Sequence, residues 1–143
     1  MTAKTYQDLR AWQAARTFKI DIYRLTEVGA LSGDNRLCAQ LREAAAAAAS
    51  QIAEGFGRFD PADFARFVKM ARASIIECQN HLVDAVDRTH ISEDTRARHA
   101  TAAQEALVEI GGLLDYLQSP EAKRNAERIR QARFERRAKR MQD

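Results

Sequence analysis

Along residues 1–118 apolar side chains recur at alternating intervals of three and four, the spacing at which one face of an α-helix repeats. Ala11, Ala15, Phe18, Ile22 and Leu25 form the first such stripe and predict a helix from about Tyr6 to Thr26, with Trp12 and Tyr23 flanking it. Gly29 to Gly33 then reads as a turn. A second stripe, Leu37, Leu41, Ala44, Ala48 and Ile52, predicts a helix capped by Asp34 and ended at Gly55 and Gly57, where glycine supplies left-handed backbone. Its run from Ala44 to Ala49 has no bulk on any face and predicts close approach of a neighbouring helix. Asp60-Pro61 suits the cap and first position of a third helix, and Phe64, Phe67, Ala71, Ser74, Cys78, Leu82 and Ala85 trace its inner face as far as about Thr89. Ser92-Glu93-Asp94 opens a fourth, with Ala100, Ala103, Leu107, Ile110, Leu114 and Leu117 inward. In it Gly111-Gly112 costs about 1 kcal/mol each against alanine, which predicts a close contact or a bend there.

No segment alternates with the period of a strand. Four amphipathic helices joined by short turns predict an all-α fold, an antiparallel up-and-down four-helix bundle over residues 1–118. Residues 119–143 form a separate basic tail. Ser119-Pro120-Glu121 restarts a helix, but only Ile129, Phe134 and Met141 offer bulk for burial. The tail is therefore expected as a solvated helix or a partly disordered segment that docks weakly.

Charge sharpens this division. The chain of 143 residues has a net charge of +3, yet residues 119–143 hold nine Lys/Arg against four Asp/Glu, a net of +5, leaving −2 on the rest. A concentrated cationic appendage suits a polyanion. Hydrophobic residues are 45% and charged residues 30%, an ordinary globular balance for one domain. No basic start leads into an apolar run, and the uncharged stretch Ala44 to Ala53 is too short to span a bilayer. The expectation is a cytoplasmic protein with no membrane partner. Cys38 and Cys78 lack metal-ligand spacing and read as small core residues.

Three segments together resemble a known family: YQDLRAWQAAR (Tyr6 to Arg16), QLREAAAAAASQIAEGFGR (Gln40 to Arg58) and DFARFVKMARASIIE (Asp63 to Glu77). They are similar to the bacterial four-helix-bundle proteins encoded within intervening sequences of 23S ribosomal RNA genes. The accessory variability determinants of diversity-generating retroelements resemble the same family. The likeness spans roughly residues 6 to 118 and is most specific at Ile52 to Arg58. Ala47 to Gln51 and Ala73 depart from the family pattern, and the tail lies outside it. The resemblance implies a homo-oligomer, a ring-like pentamer, with no enzymatic activity. For the retroelement members it further implies binding to nucleic acid and to a reverse transcriptase.

Candidate chemistry is sparse. A di-metal bundle site needs paired Glu-x-x-His motifs, whereas Glu77 and His81 are four apart and Asp87-His90 has no twin. His81, His90 and His99 read as surface or helix-end residues, and no cofactor is expected. Glu54 and Glu77 read as partners of arginines such as Arg42 and Arg72 across the second and third helices. Ser50 and Ser74 lack a histidine–acid arrangement, and Gly55-Phe56-Gly57 lacks the lysine and strand of a phosphate loop. What remains are cations. Arg58, Arg66, Lys69 and Arg72 form a band near the second turn, interleaved with Asp60 and Asp63. Lys123, Arg124, Arg128, Arg130, Arg133, Arg136, Arg137, Lys139 and Arg140 fill the tail. Such clusters suit phosphates, each contact releasing counterions. The competing expectation for the tail is a soluble helix held by Glu127–Arg130 and Glu135–Lys139 pairs. The leading expectation is a non-enzymatic, oligomeric nucleic-acid-binding accessory protein; the alternative is a structural or protein-interaction bundle module.

Overall fold

The computed structural model describes residues 3–143, and among them there is no strand. Five α-helices follow one another: α1 (Arg10–Leu25), α2 (Asn35–Phe56), α3 (Pro61–Asp87), α4 (Glu93–Leu117) and α5 (Pro120–Gln142). The caps are those the sequence dictates. Side-chain oxygens of Asp34, Asp60, Ser92 and Ser119 accept from the backbone N–H of Leu37, Asp63, Thr95 and Ala122. α1 packs on α2, α2 on α3, α3 on α4, and α4 closes on α1. Neighbours run antiparallel. The start of α2 meets the end of α3, where Arg88 reaches the Asp34 carboxylate at 3.2 Å. The start of α1 shares a groove with the end of α4, through Arg10, Glu109 and Leu113.

The core is one continuous cluster fed by the inward stripes. Phe18, Ile22, Leu37, Leu41, Ile52, Ile75, Leu82 and Ile110 are fully buried. α2 and α3 make the most intimate pair in the bundle. Ala44, Ala45, Ala48 and Ala49 are buried along that side, and the Ser74 hydroxyl donates to Gln51 Oε1 at 2.9 Å across it. Both cysteines are free and buried. Burial pushes the Cys78 thiol up to about 12, with Glu77 adding to the shift, and raises that of Cys38 as well.

Four expectations are corrected. The first helix does not start at Tyr6: Tyr6–Asp8 is a separate turn of 3-10 helix, and Leu9, in extended backbone, drops its side chain into the core before α1 begins. α2 runs through Gly55, and Gly57 stays in the right-handed region. Gly55 is needed for contact instead. A Cβ there would sit 2.8 Å from both Phe64 Cδ1 and Phe67 Cβ. Of the close contact or bend expected at Gly111 and Gly112, the contact does not form within the chain, since both face open space. The stripe of α4 is shallower than its regular spacing suggests. Ala103, Ala106, Ile110 and Leu117 are buried, while Ala100, Leu107 and Leu114 are only half-buried.

The end of α3 carries strain. Thr89 adopts φ 62, closing a turn in which His90 N–H donates to Ala85 O at 2.9 Å and Thr89 N–H to Val86 O at 2.8 Å. A β-branched residue in left-handed backbone is disfavoured by about 1–2 kcal/mol. Thr89→Gly should therefore raise unfolding stability by about 1 kcal/mol in urea titrations, after the extra unfolded-chain entropy of glycine is set against the relief. Gly55→Ala should act oppositely. The methyl group gains helix propensity but overpacks two phenylalanines, and the expected loss is about 1–3 kcal/mol in the same assay.

Candidate nucleic-acid interface

The corner where α2 turns into α3 is built by the run from Phe56 to Phe64. Gly57 and Arg58 finish α2 with backbone bonds to Glu54 O and Gly55 O, and Asp60-Pro61 starts α3 immediately. Phe59 is left at the apex, 68% exposed. Beneath it Phe56 meets Phe64 edge to face at 6.3 Å, anchoring the turn. Phe67 is flanked by two guanidinium groups, Arg58 at 4.9 Å and Arg66 at 4.6 Å.

α5 folds back over this corner rather than projecting freely. Ala122 and Ala126 are buried, the Asn125 amide donates to Tyr116 Oη at 3.4 Å, and Arg130 reaches Asp60 Oδ1 at 3.4 Å. One turn further on, the Arg133 guanidinium lies over the Phe59 ring at 4.0 Å. The tail is thus a continuous helix with a docked first half. Its small residues let the backbone approach, and an arginine–aromatic stack replaces the missing apolar bulk.

The two cation groups that the sequence keeps apart converge here. Arg58 from the turn and Arg128 and Arg136 from α5 line one groove of about 650 Å³, together with Phe59, Phe64, Leu117, Ala126 and Ile129. The band itself is split. Arg58 is held by Glu54 and Asp63, both at 3.6 Å, and Arg66 by Asp63 at 3.0 Å. Lys69 and Arg72 are exposed on α3, away from this groove, and no ion pair involves them among the described residues.

The tail is different. Of its nine cations only Arg130 pairs with an acid among the described residues. Lys123, Arg124, Arg128, Arg133, Arg136, Arg137, Lys139 and Arg140 are exposed and uncompensated. The helical pairs expected to neutralise them do not form: Glu135 accepts from Gln131 Nε2 at 3.0 Å, and Arg130 turns to Asp60. The inter-helix pairs expected for Glu54 and Glu77 are also absent. Glu54 takes Arg58, Glu77 takes His81 at 3.5 Å, and Arg42 lies over the Tyr23 ring at 5.0 Å.

No group of three or more His, Cys, Asp or Glu residues that could hold a metal occurs among the described residues. At the opposite end of the bundle His90 Nε2 lies 2.9 Å from Asp34 Oδ2. The Leu37 N–H, and after it His90, hold the Asp34 carboxyl below its ordinary range. The nearby Ser92 hydroxyl is occupied in capping α4, accepting from Thr95 N–H at 3.1 Å and donating to Thr95 Oγ1 at 3.0 Å. This arrangement locks the α3–α4 turn onto the cap of α2. His81 is less exposed than a surface residue, its imidazole lying largely inside the helix packing.

Phe59 is the candidate-site residue that sequence reasoning missed. The signal was present: a lone aromatic in a turn, between Gly57 and Asp60-Pro61, has no helical stripe to join.

Fold and site define a helix-bundle protein with one cationic corner, and no described helix is long and apolar enough to cross a membrane. The chain belongs to the 23S rRNA-intervening sequence protein family, whose sequence model matches residues 7–115. No curated protein matches it.

Docking of α5 is directly testable. Ala126→Glu forces a long, charged side chain into the close contact with the bundle. Amide hydrogen exchange over residues 120–136 should then quicken at least tenfold, while the core of α2 and α3 keeps its protection.

Proposed function

We propose that this family member is a non-enzymatic, homo-oligomeric accessory protein that binds nucleic acid through the corner formed by α5 and the α2–α3 turn. One observation carries the reading: eight exposed tail cations without acidic partners run along a helix anchored beside Arg58. The tail's own acids, Glu121, Glu127, Glu135 and Asp143, leave a net of +5 on this helix, and a surface with such an excess attracts polyanions from a distance. Contacts of this kind reach phosphates and carry no base-pair code, so binding is electrostatic and largely independent of sequence. Oligomerisation repeats the corner and raises avidity. In a retroelement setting the nucleic acid would be presented to a reverse transcriptase, which co-purification with that enzyme would test.

The salt dependence of binding tests the mechanism. The triple variant Arg128→Gln/Arg133→Gln/Arg136→Gln should weaken binding of a labelled RNA or DNA strand. Each lost phosphate contact lowers the log–log salt slope by about 0.7–0.9. Removal of residues 119–143 should flatten the slope further. Unchanged affinity and slope in both would sink the proposal.

A second reading rests on a different surface. A shallow groove of about 990 Å³ between α1 and α4 combines Ala14, Ala97, Ala100 and Val108, the last 62% exposed, with polar side chains such as Arg96, Gln104 and Glu105. It supports a protein-interaction module, which retains no nucleic acid on a filter at low salt.

A further inference from the structure

The groove under α5 has a composition that phosphate binding alone does not require. Its floor is apolar: Phe64, Leu117 and Ala126 are buried there, and Phe59 and Ile129 wall it while remaining largely exposed. Its rim is cationic, with Arg58, Arg128 and Arg136. Arg128 and Arg136 are the two rim residues without an acidic partner. Arg128 bonds the Asn125 side chain and Arg136 the Ala132 carbonyl, both on their own helix. A volume of about 650 Å³ falls within the range of roughly 300–1,000 Å³ that holds small organic ligands. Further along α5, Phe134 is 70% exposed and lies, by helical spacing, on one face with Arg130 and Arg137.

Exposed aromatic rings interleaved with unpaired cations are the arrangement on which the bases of a single strand stack while its backbone is neutralised. A duplex cannot use the apolar floor, because its base faces are already stacked and extrusion costs a few kcal/mol. A membrane surface fits less well, since α5 lacks a broad apolar face. We infer that the corner selects single-stranded nucleic acid: an unpaired base enters the groove against Phe59 while the flanking phosphates meet Arg128 and Arg136. This rests on the nucleic-acid reading above and adds the state of the strand. Arg133, stacked on Phe59 at 4.0 Å, holds the ring in place for the base.

The test uses the full chain and three fluorescein-labelled probes of about 20 nucleotides, long enough to exceed a typical single-strand site. These are a mixed-sequence single strand, its duplex, and an abasic strand of equal charge, compared by anisotropy at one salt concentration. The mixed-sequence strand should bind roughly tenfold more tightly than the abasic strand, the order of one base stack. Phe59→Ala should lower mixed-strand affinity more than abasic affinity and so remove most of that advantage, and Phe59→Trp should preserve it. Because Phe59 is mostly solvent-exposed, neither substitution threatens the core. Equal affinity for the base-bearing and abasic strands overturns the inference while leaving electrostatic binding intact. Preference for the duplex overturns it as well. Failure of all three probes to bind overturns the electrostatic reading together with this one.

Discussion

Gly55 has no side chain, and Phe64 and Phe67 of α3 occupy the space where one would be. This contact fixes how closely α2 and α3 approach at their shared end, and the buried alanines continue it along the helices. The turn that follows is therefore short and rigidly seated, with Asp60 and Pro61 starting α3 at once. A turn so tight cannot fold its own aromatic residue back into the core. Phe59 is left outside, and its ring becomes the surface on which Arg133 settles. The candidate interface follows from a steric constraint buried one turn away.

Electrostatics explains why α5 docks without being neutralised. At the corner Glu54, Asp60 and Asp63 are matched by Arg58, Arg66 and Arg130, so the acids of the bundle are already spent there. Exposed pairs of this kind contribute about 0–1 kcal/mol each, enough to orient α5 but not to bind it tightly. Farther along, Arg124 and Arg128, Arg133 and Arg137, and Arg136 and Arg140 stand four apart on one helix. Like charges at that spacing disfavour the helix by a few tenths of a kcal/mol each. Phosphates placed along α5 would relieve that repulsion while gaining their own attraction. On the proposed reading, an anionic partner and an ordered α5 would be thermodynamically coupled, each favouring the other.

What was legible in the sequence was whatever depends on local order along the chain. The stripe from Ala11 to Leu25 and the inner face from Phe64 to Ala85 are buried as their spacing required, and all four capping side chains make their bonds. What was not legible depends on residues distant in sequence. A glycine that admits a neighbouring phenylalanine looks the same in one dimension as a glycine that ends a helix, so Gly55 was misread. Leu9 breaks α1 because its side chain finds the core, which no local propensity records. Glu54 and Arg42 were matched by charge alone, yet Arg58 is one turn from Glu54 and Tyr23 offers Arg42 a ring. The tail looked too polar to dock because its partners, Phe59 and Asp60, lie about 70 residues earlier. The site was half legible: its cations were identified, but neither their convergence on one groove nor the aromatic at its centre.

The family match ends near residue 115, whereas the uncompensated cations begin at Lys123. The corner is therefore composite. The shared bundle contributes the turn, its exposed ring and a set of arginines already balanced by acids; the tail contributes the excess charge. The groove needs both parts. The bundle's own cations are largely neutralised at this corner, and an isolated α5, carrying its repulsions and few apolar side chains, would be a marginal helix. Docking changes both conditions, because Ala122 and Ala126 stabilise the helix by burial and Phe59 holds Arg133 where the charge of the tail passes over an apolar groove. A property confined to the tail would survive grafting onto any scaffold, and one confined to the bundle would survive loss of the tail. A property of their junction survives neither; the groove is of that kind, because Arg58 and Phe59 come from the bundle and Arg128 and Arg136 from the tail.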